Sequence, residues 1–181
     1  MPRLPADLLQ KRLRTELDLC RKELARYTFD VSDPTFCSFP VTIRVTMRGV
    51  PGPVMKEGRV TSSSTHKFTM KITDEYPYHK PIVIWETAIF HPNIMTPEDG
   101  GFVCTKLLDE WSFNANLLQF IQGLETLLSN PNSDNAYISD SCVKAAKHFS
   151  NRTWRPPAII KEKTVLKKPQ VVSSHQDGHQ K

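Results

Sequence analysis

Leu9, Leu13, Leu17, Cys20 and Leu24 recur at intervals of three and four, the spacing that lines one face of an α-helix. Lys11, Arg12, Arg14, Arg21 and Lys22 take much of the other face, and Asp7 stands where an N-cap belongs. The run SDPTFCS (32–38) ends that pattern. The period then changes to two. Phe39, Val41, Ile43, Val45 and Met47 alternate with Thr42, Arg44, Thr46 and Arg48, which predicts a strand with one face toward a core. GVPGP (49–53) predicts a turn. Residues 56–64 fit either a ragged strand or a long hairpin loop, and Phe68, Met70 and Ile72 resume the alternation. YPYHKP (76–81) holds two prolines, which fix φ and remove donors, and so reads as a rigid connection. IVIW (82–85) is a short continuous apolar run, the pattern of a strand covered on both faces.

Helix returns with Leu117, Leu118, Ile121, Leu124, Leu127 and Leu128, with Asn114 and Asn116 as candidate caps. SNPNSDN (129–135) ends it, and Ser139 then caps a helix that turns Val143, Ala146 and Phe149 inward. Beyond Trp154 the periodicity is lost and proline and lysine accumulate, which predicts a mostly disordered tail. The order is helix, antiparallel meander of about four strands, irregular segment, then helices. That is an α+β arrangement with helix on one side of the sheet. One core domain is expected over residues 1–155, followed by a basic tail over 156–181.

Composition narrows the class. The chain has 181 residues, 39% hydrophobic and 24% charged, ordinary for a globular domain. No apolar run approaches the roughly 20 residues that span a bilayer. The charged N-terminus is not that of a secretory signal. These features predict an intracellular protein, cytoplasmic with the nucleus also open. Cys20, Cys37, Cys104 and Cys142 are scattered without a CxxC pair, so neither a zinc site nor a disulfide framework is expected. Charge is concentrated at the ends. Residues 155–181 carry six basic side chains against Glu162 and Asp177, and residues 1–26 carry seven basic against four acidic. Two basic patches flanking a near-neutral body suit solvated faces, an acidic protein partner or nucleic acid.

The candidate chemistry lies at Cys104. Its neighbours Val103, Thr105, Lys106, Leu107 and Leu108 would suit a buried structural cysteine equally well. The preceding MTPEDGG (95–101), however, is built of turn formers, which sets Cys104 beside irregular surface.

YPYHKPIVIWETAIFHPNI (76–94), GFVC (101–104), Trp111-Ser112 and LLSNPNSDNAY (127–137) occur in one order along the chain. This ordered set resembles the ubiquitin-conjugating enzyme family over about residues 6–153. The resemblance implies that family's fold. It implies that Cys104 accepts the C-terminus of ubiquitin, or of a ubiquitin-like protein, from an activating enzyme and passes it to a substrate lysine, usually with a ligase. Exchange of one thioester for another is close to isoenergetic, and a thiolate attacks well near neutral pH. Asn93 matches the family's asparagine, as oxyanion donor or as loop support. His91 and Pro92 match structural positions of the same element, and Trp111 matches the family's tryptophan after the cysteine. The acidic residue that steers the lysine falls by spacing on Asn135, with Asp134 just before it. Ligase contacts map onto Lys11, Arg12, Arg14, Tyr78 and Phe113, a RING-type ligase being the expected partner. No metal or cofactor is expected on this chain, since ATP is used by the activating enzyme. Neither a membrane nor nucleic acid is an expected partner.

The chain departs from the family pattern as well. Extra residues lie between Asn93 and Cys104, among them Pro97, Glu98 and Asp99, so a larger and more acidic lip is expected. Trp-Ser-Pro reads Trp-Ser-Phe, and the hairpin after Met47 is longer. The alternative reading is a non-catalytic variant of the same fold that binds a modifier or a ligase as an adaptor. Reversing Lys11, Arg12 and Arg14 is expected to slow charging with the fold intact.

Overall fold

The computed structural model describes residues 2–104, 111–151 and 154–155; the predicted tail over 156–181 lies outside them. Helix α1 (Ala6–Glu23) buries Leu9, Leu13, Leu17 and Cys20, the predicted face. Its cap is not Asp7. Pro5 holds the N-cap position, with Leu9 N–H donating to its carbonyl, and Asp7 lies in the first turn, where a carboxylate still favours the helix dipole.

Four strands form one antiparallel sheet in the order β1 (Thr28–Val31), β2 (Val41–Lys56), β3 (Arg59–Ile72), β4 (Ile82–Trp85). Strand β1 was hidden in the sequence because TFDV is short and only half-buried. The predicted turn at residues 49–53 is absent. Strand β2 runs through it with a register shift between Arg48 and Gly52, and the hairpin turns at Glu57–Gly58, both with positive φ. Residues 59–64 are therefore strand. Gly52 is required for packing rather than for turning: a Cβ there would lie 2.5 Å from Leu128 Cδ1 and 2.9 Å from the His66 ring. IVIW is covered on one face only, since Val83 and Trp85 are buried while Ile82 is 49% exposed. The sheet pairs β4 with β3 alone, so the continuous apolar run does not mark a central strand.

Helix α2 (Leu117–Ser129) starts at Asn116, whose side chain accepts from Gln119 N–H while the Gln119 side chain accepts from Asn116 N–H, a capping box. Leu117, Phe120, Ile121, Leu124, Leu127 and Leu128 are buried in the core shared with α1 and the sheet. Each such side chain contributes about 2 kcal/mol by leaving water. Helix α3 (Asp140–Phe149) is capped by Ser139, as predicted. Its inward face is Cys142, Ala145 and Phe149; Val143 is 41% exposed and Ala146 half-buried. Phe149 is inward as predicted, packed with Phe90 and Ala145 in a satellite cluster, but that packing turns Cys142 and Ala145 to the core in place of Val143 and Ala146. The architecture is thus α+β, with an N-terminal helix, an antiparallel meander and C-terminal helices.

Candidate active site

Strand β4 hands the chain to an irregular segment that returns beside it as Phe102–Cys104. Two bridges hold it closed, Ile84 with Phe102 and Ile94 with Val103. Gly101 seats this segment on β4. Its carbonyl accepts from Trp85 N–H at 2.7 Å, its φ is +67°, and a Cβ would lie 2.3 Å from Trp85 O. Only glycine combines that backbone with that approach.

The segment delivers Cys104 half-exposed, with its N–H donating to Asn93 O at 2.8 Å. All four cysteines are free, and their surroundings separate them. Burial, reinforced by the Glu16 carboxylate, pushes the Cys20 thiol up to about 12. Burial also raises Cys142. Cys37 is exposed, on a loop organised by Asp33, which accepts from the N–H groups of Thr35, Cys37 and Ser38. Of the two accessible thiols, Cys104 alone is joined to the Asn93 network.

Asn93 is fully buried and both of its amide protons are used. Nδ2 donates to Asn132 O at 3.0 Å and to Asn135 O at 2.8 Å, and Oδ1 accepts from Asn132 N–H at 2.9 Å. His91 fixes the same turn from beneath. Nδ1 accepts from Asn93 N–H at 3.0 Å, so Nε2 carries the proton and donates to Leu127 O at 3.0 Å. Burial holds its imidazolium down to about 3. Pro92 O accepts from Tyr137 N–H. Asp134 and Asn135 are exposed on the short turn Ser133–Asn135, and Asn135 meets Asn93 through its backbone carbonyl.

The lip before Cys104 is a 3-10 turn, Pro97–Asp99. The Asp99 carboxylate accepts from Ser141 N–H at 3.1 Å, and Thr96 N–H donates to Ser141 Oγ at 3.5 Å. Asp99 is held below the usual carboxylate range by its bonds to Ser141.

The predicted partner-contact residues form a second assembly. Tyr78 and Phe113 are 38% and 45% exposed, with ring centroids 5.3 Å apart. The Arg12 guanidinium lies 5.1 Å from the Phe113 ring centre, donates to Phe113 O and Ala115 O, and pairs with Glu16 at 2.7 Å. Arg14 donates to Thr35 O, and Lys11 is exposed. Trp111 Nε1 donates to Pro77 O at 2.8 Å, and its ring packs on Tyr76 and Phe120. None of these six residues bonds to Asn93 or Cys104. Glu16, Asn132, Asp99 and Ser141 were not singled out by sequence reasoning for these bonds. Asn132, Asp99 and Ser141 find partners 39 or more positions away, and no local pattern encodes such contacts, whereas Arg12 and Glu16 stand at the i, i+4 spacing of a helix pair. Among the described residues no group of three His, Cys, Asp or Glu side chains gathers as metal ligands would, and no helix is long and apolar enough to cross a membrane.

A family model described as ubiquitin-conjugating enzyme matches residues 13–155. The chain is 38% identical over 80 residues to the NEDD8-conjugating enzyme Ubc12 of Dictyostelium discoideum, covering 44% of this chain and 34% of that protein. It is 30% identical over 86 residues to ubiquitin conjugating enzyme E2 B of the same organism, covering 48% of this chain and 55% of that protein. The matches therefore span less than two thirds of either relative. Among solved structures, S. cerevisiae Ubc12 superposes with a TM-score of 0.57 at 25% identity, covering 78% of this chain and 71% of that chain.

Proposed function

The chain belongs to the ubiquitin-conjugating enzyme family, and from that premise we propose that Cys104 carries ubiquitin or a ubiquitin-like protein as a thioester for delivery to a substrate lysine. The observation that carries this is the junction at Cys104. A half-exposed thiol follows a tightly seated segment, and its N–H is bonded to the carbonyl of Asn93, whose side-chain amide is held by three hydrogen bonds. The Cys104 thiolate attacks the carbonyl of the modifier's thioester with the activating enzyme. A C–S bond forms at Cys104, and the activating enzyme's thiolate leaves. A lysine amine then attacks the same carbonyl, the C–N bond forms, the Cys104 thiolate leaves and the amine proton passes to water.

Asn93 acts in this scheme as loop support. Its Nδ2 already serves two carbonyls, so the hydrogen bonds favour bracing over direct contact with an oxyanion. Asp134, exposed on the turn that Asn93 braces, steers the incoming amine together with Asn135. Lys11, Arg14 and the Tyr78–Phe113 pair receive the activating enzyme and a RING-type ligase; an aromatic centre with a basic rim suits such a contact. Arg12 serves that surface indirectly, by anchoring Phe113. No metal or cofactor enters the scheme, and its place is the cytoplasm.

The test is a charging assay with ubiquitin and a panel of ubiquitin-like proteins, each with its activating enzyme and ATP, on non-reducing and reducing gels. The expected result is a thiol-sensitive adduct that Cys104→Ala abolishes and Cys37→Ser retains. The pair that charges identifies the modifier. No adduct with any pair, from a folded chain that still binds a modifier or a ligase, transfers the case to the adaptor reading.

A further inference from the structure

Helix α3 begins with N–H groups that have no partner within the helix. Ser139 Oγ accepts from Cys142 N–H at 3.3 Å, the usual cap. The N–H of Ser141, one residue earlier, is satisfied by Asp99, 42 residues back in the chain. The residue that completes this helix cap is thus the last of the 3-10 turn ahead of Cys104. The same turn is held from its own side: Gly100 and Gly101 N–H donate to Pro97 O and Thr96 O. Asp99 therefore bridges two walls, the loop that ends at Cys104 and the segment that leads from Asp134 and Asn135 into α3.

We propose that Asp99 is a positioning residue which, through its hydrogen bond to Ser141 N–H, sets the lip of the Cys104 site for attack by the incoming lysine. The proposal rests on the reading of Cys104 as a thioester carrier. Asp99 takes no proton and touches no reacting atom. It holds a wall of the site, and reaction rates fall steeply when a wall shifts the approach of a nucleophile by fractions of an ångström. The carboxylate is needed for its acceptor oxygen and not for its charge, so asparagine at this position retains the contact.

The experiment follows single-turnover discharge of the Cys104 thioester to free lysine over a range of lysine concentrations. It compares the full chain with Asp99→Ala, Asp99→Asn and Ser141→Ala, and normalises each to its own charging rate. Asp99→Ala is expected to lower the maximal discharge rate about three- to tenfold, the worth of one lost hydrogen bond, with the lysine concentration at half-rate little changed. Asp99→Asn is expected to recover most of the loss. Ser141→Ala keeps the N–H donor but removes the hydroxyl that accepts from Thr96 N–H, and is expected to lose less than Asp99→Ala. A loss as large as that of Asp99→Ala counts against the N–H bond as the contact that matters. The Ser141 amide, followed by NMR hydrogen exchange, is expected to exchange faster in Asp99→Ala and not in Asp99→Asn. Discharge by Asp99→Ala at the parent rate overturns the proposal. So does Asp99→Asn as slow as Asp99→Ala, or a loss seen only in the half-rate concentration, since either assigns Asp99 a role through charge. Unchanged Ser141 exchange in Asp99→Ala also overturns it. Absence of any thioester on the parent chain is a different failure, seen before any variant is made, and removes the carrier reading first.

Discussion

Asn93 and Asn132 exchange two hydrogen bonds across 39 residues of sequence: Asn93 Nδ2 donates to Asn132 O at 3.0 Å, and Asn132 N–H donates to Asn93 Oδ1 at 2.9 Å. A side-chain amide thereby stands in for a strand's backbone and zips the loop after α2 to the segment before Cys104. Asn93→Asp is nearly isosteric, but it replaces the donor with an oxygen facing two carbonyls. The expected cost is about 2–4 kcal/mol, since two buried bonds are lost and a charge is left unpaired. Urea unfolding measures this, and the variant's discharge rate should fall with it. A variant as stable as the parent would remove the bracing role.

The Glu16 carboxylate is the acceptor for Arg12, for the Tyr76 hydroxyl and for Leu117 N–H. It ties α1 to the 76–81 connection and to the first turn of α2. Burial, reinforced by the Glu16 carboxylate, pushes the Tyr76 hydroxyl well above its ordinary range. Glu16→Ala leaves a guanidinium, a hydroxyl and an N–H without their acceptor. An expected loss of about 3–5 kcal/mol follows, and Glu16→Gln should recover part of it. Equal thermal midpoints for parent and Glu16→Ala would contradict this.

The same network revises the expectation for the basic face. Reversing Lys11, Arg12 and Arg14 together cannot leave the fold intact, because Arg12 is bonded to Glu16, Phe113 O and Ala115 O. Lys11→Glu with Arg14→Glu is the cleaner pair. It is expected to slow charging several-fold at low salt, less so at high salt, and to cost under about 1 kcal/mol of stability. Charging at an unchanged rate would clear this surface of contact with the activating enzyme.

His91 makes the fold acid-sensitive in a defined window. Its folded value is near 3 because burial disfavours the imidazolium, whereas an unfolded chain titrates at about 6.5. Between those values the unfolded state binds the proton and the folded state does not. Stability is therefore complete above about pH 6.5 and is lost as pH falls toward 3, at up to about 1.4 kcal/mol per pH unit. Burial pushes His66 in the same direction. Urea midpoints from pH 7 to 5 should fall more steeply for the parent than for His91→Gln, though the variant is the less stable protein at pH 7. Parallel curves would assign the acid sensitivity elsewhere.

Gly101→Ala tests the seat of the Cys104 loop. A Cβ 2.3 Å from Trp85 O, on a backbone at φ +67°, must push the loop off β4 and break the Trp85 N–H bond to Gly101 O. The expected cost is at least about 2 kcal/mol, with a larger fractional loss in discharge than in charging. Parent-like stability and discharge would show that the loop yields freely.

Much of the fold could be read from periodicity alone. The stripe from Leu9 to Cys20, the alternation from Val41 to Met47 and the stripe from Leu117 to Leu128 are local records of which way each side chain points. So are the caps at Asn116 and Ser139, which bond within three residues. The readings that changed are those decided by a distant neighbour. GVPGP has the composition of a turn, yet it only bulges within the strand, because β3 pairs with Arg48 before it and resumes at Gly52 and Pro53, where Leu128 packs close to Gly52. Val143 is more apolar than Ala145, yet it faces solvent because Phe90 and Phe149 set the helix phase.

The amino-acid sequence by itself determined the order of elements, the α+β class and the candidate thiol, because spacing and ordered motifs act over a few residues at a time. Only the tertiary structure decided that Asn93 gives both amide protons to Asn132 O and Asn135 O, that Arg12 donates to Phe113 O and Ala115 O, and that Asp99 caps α3. Each of those facts is a hydrogen bond between segments 39 to 103 positions apart. The direction of a donor toward such a partner is set by how the core packs, not by the residues beside it in the chain.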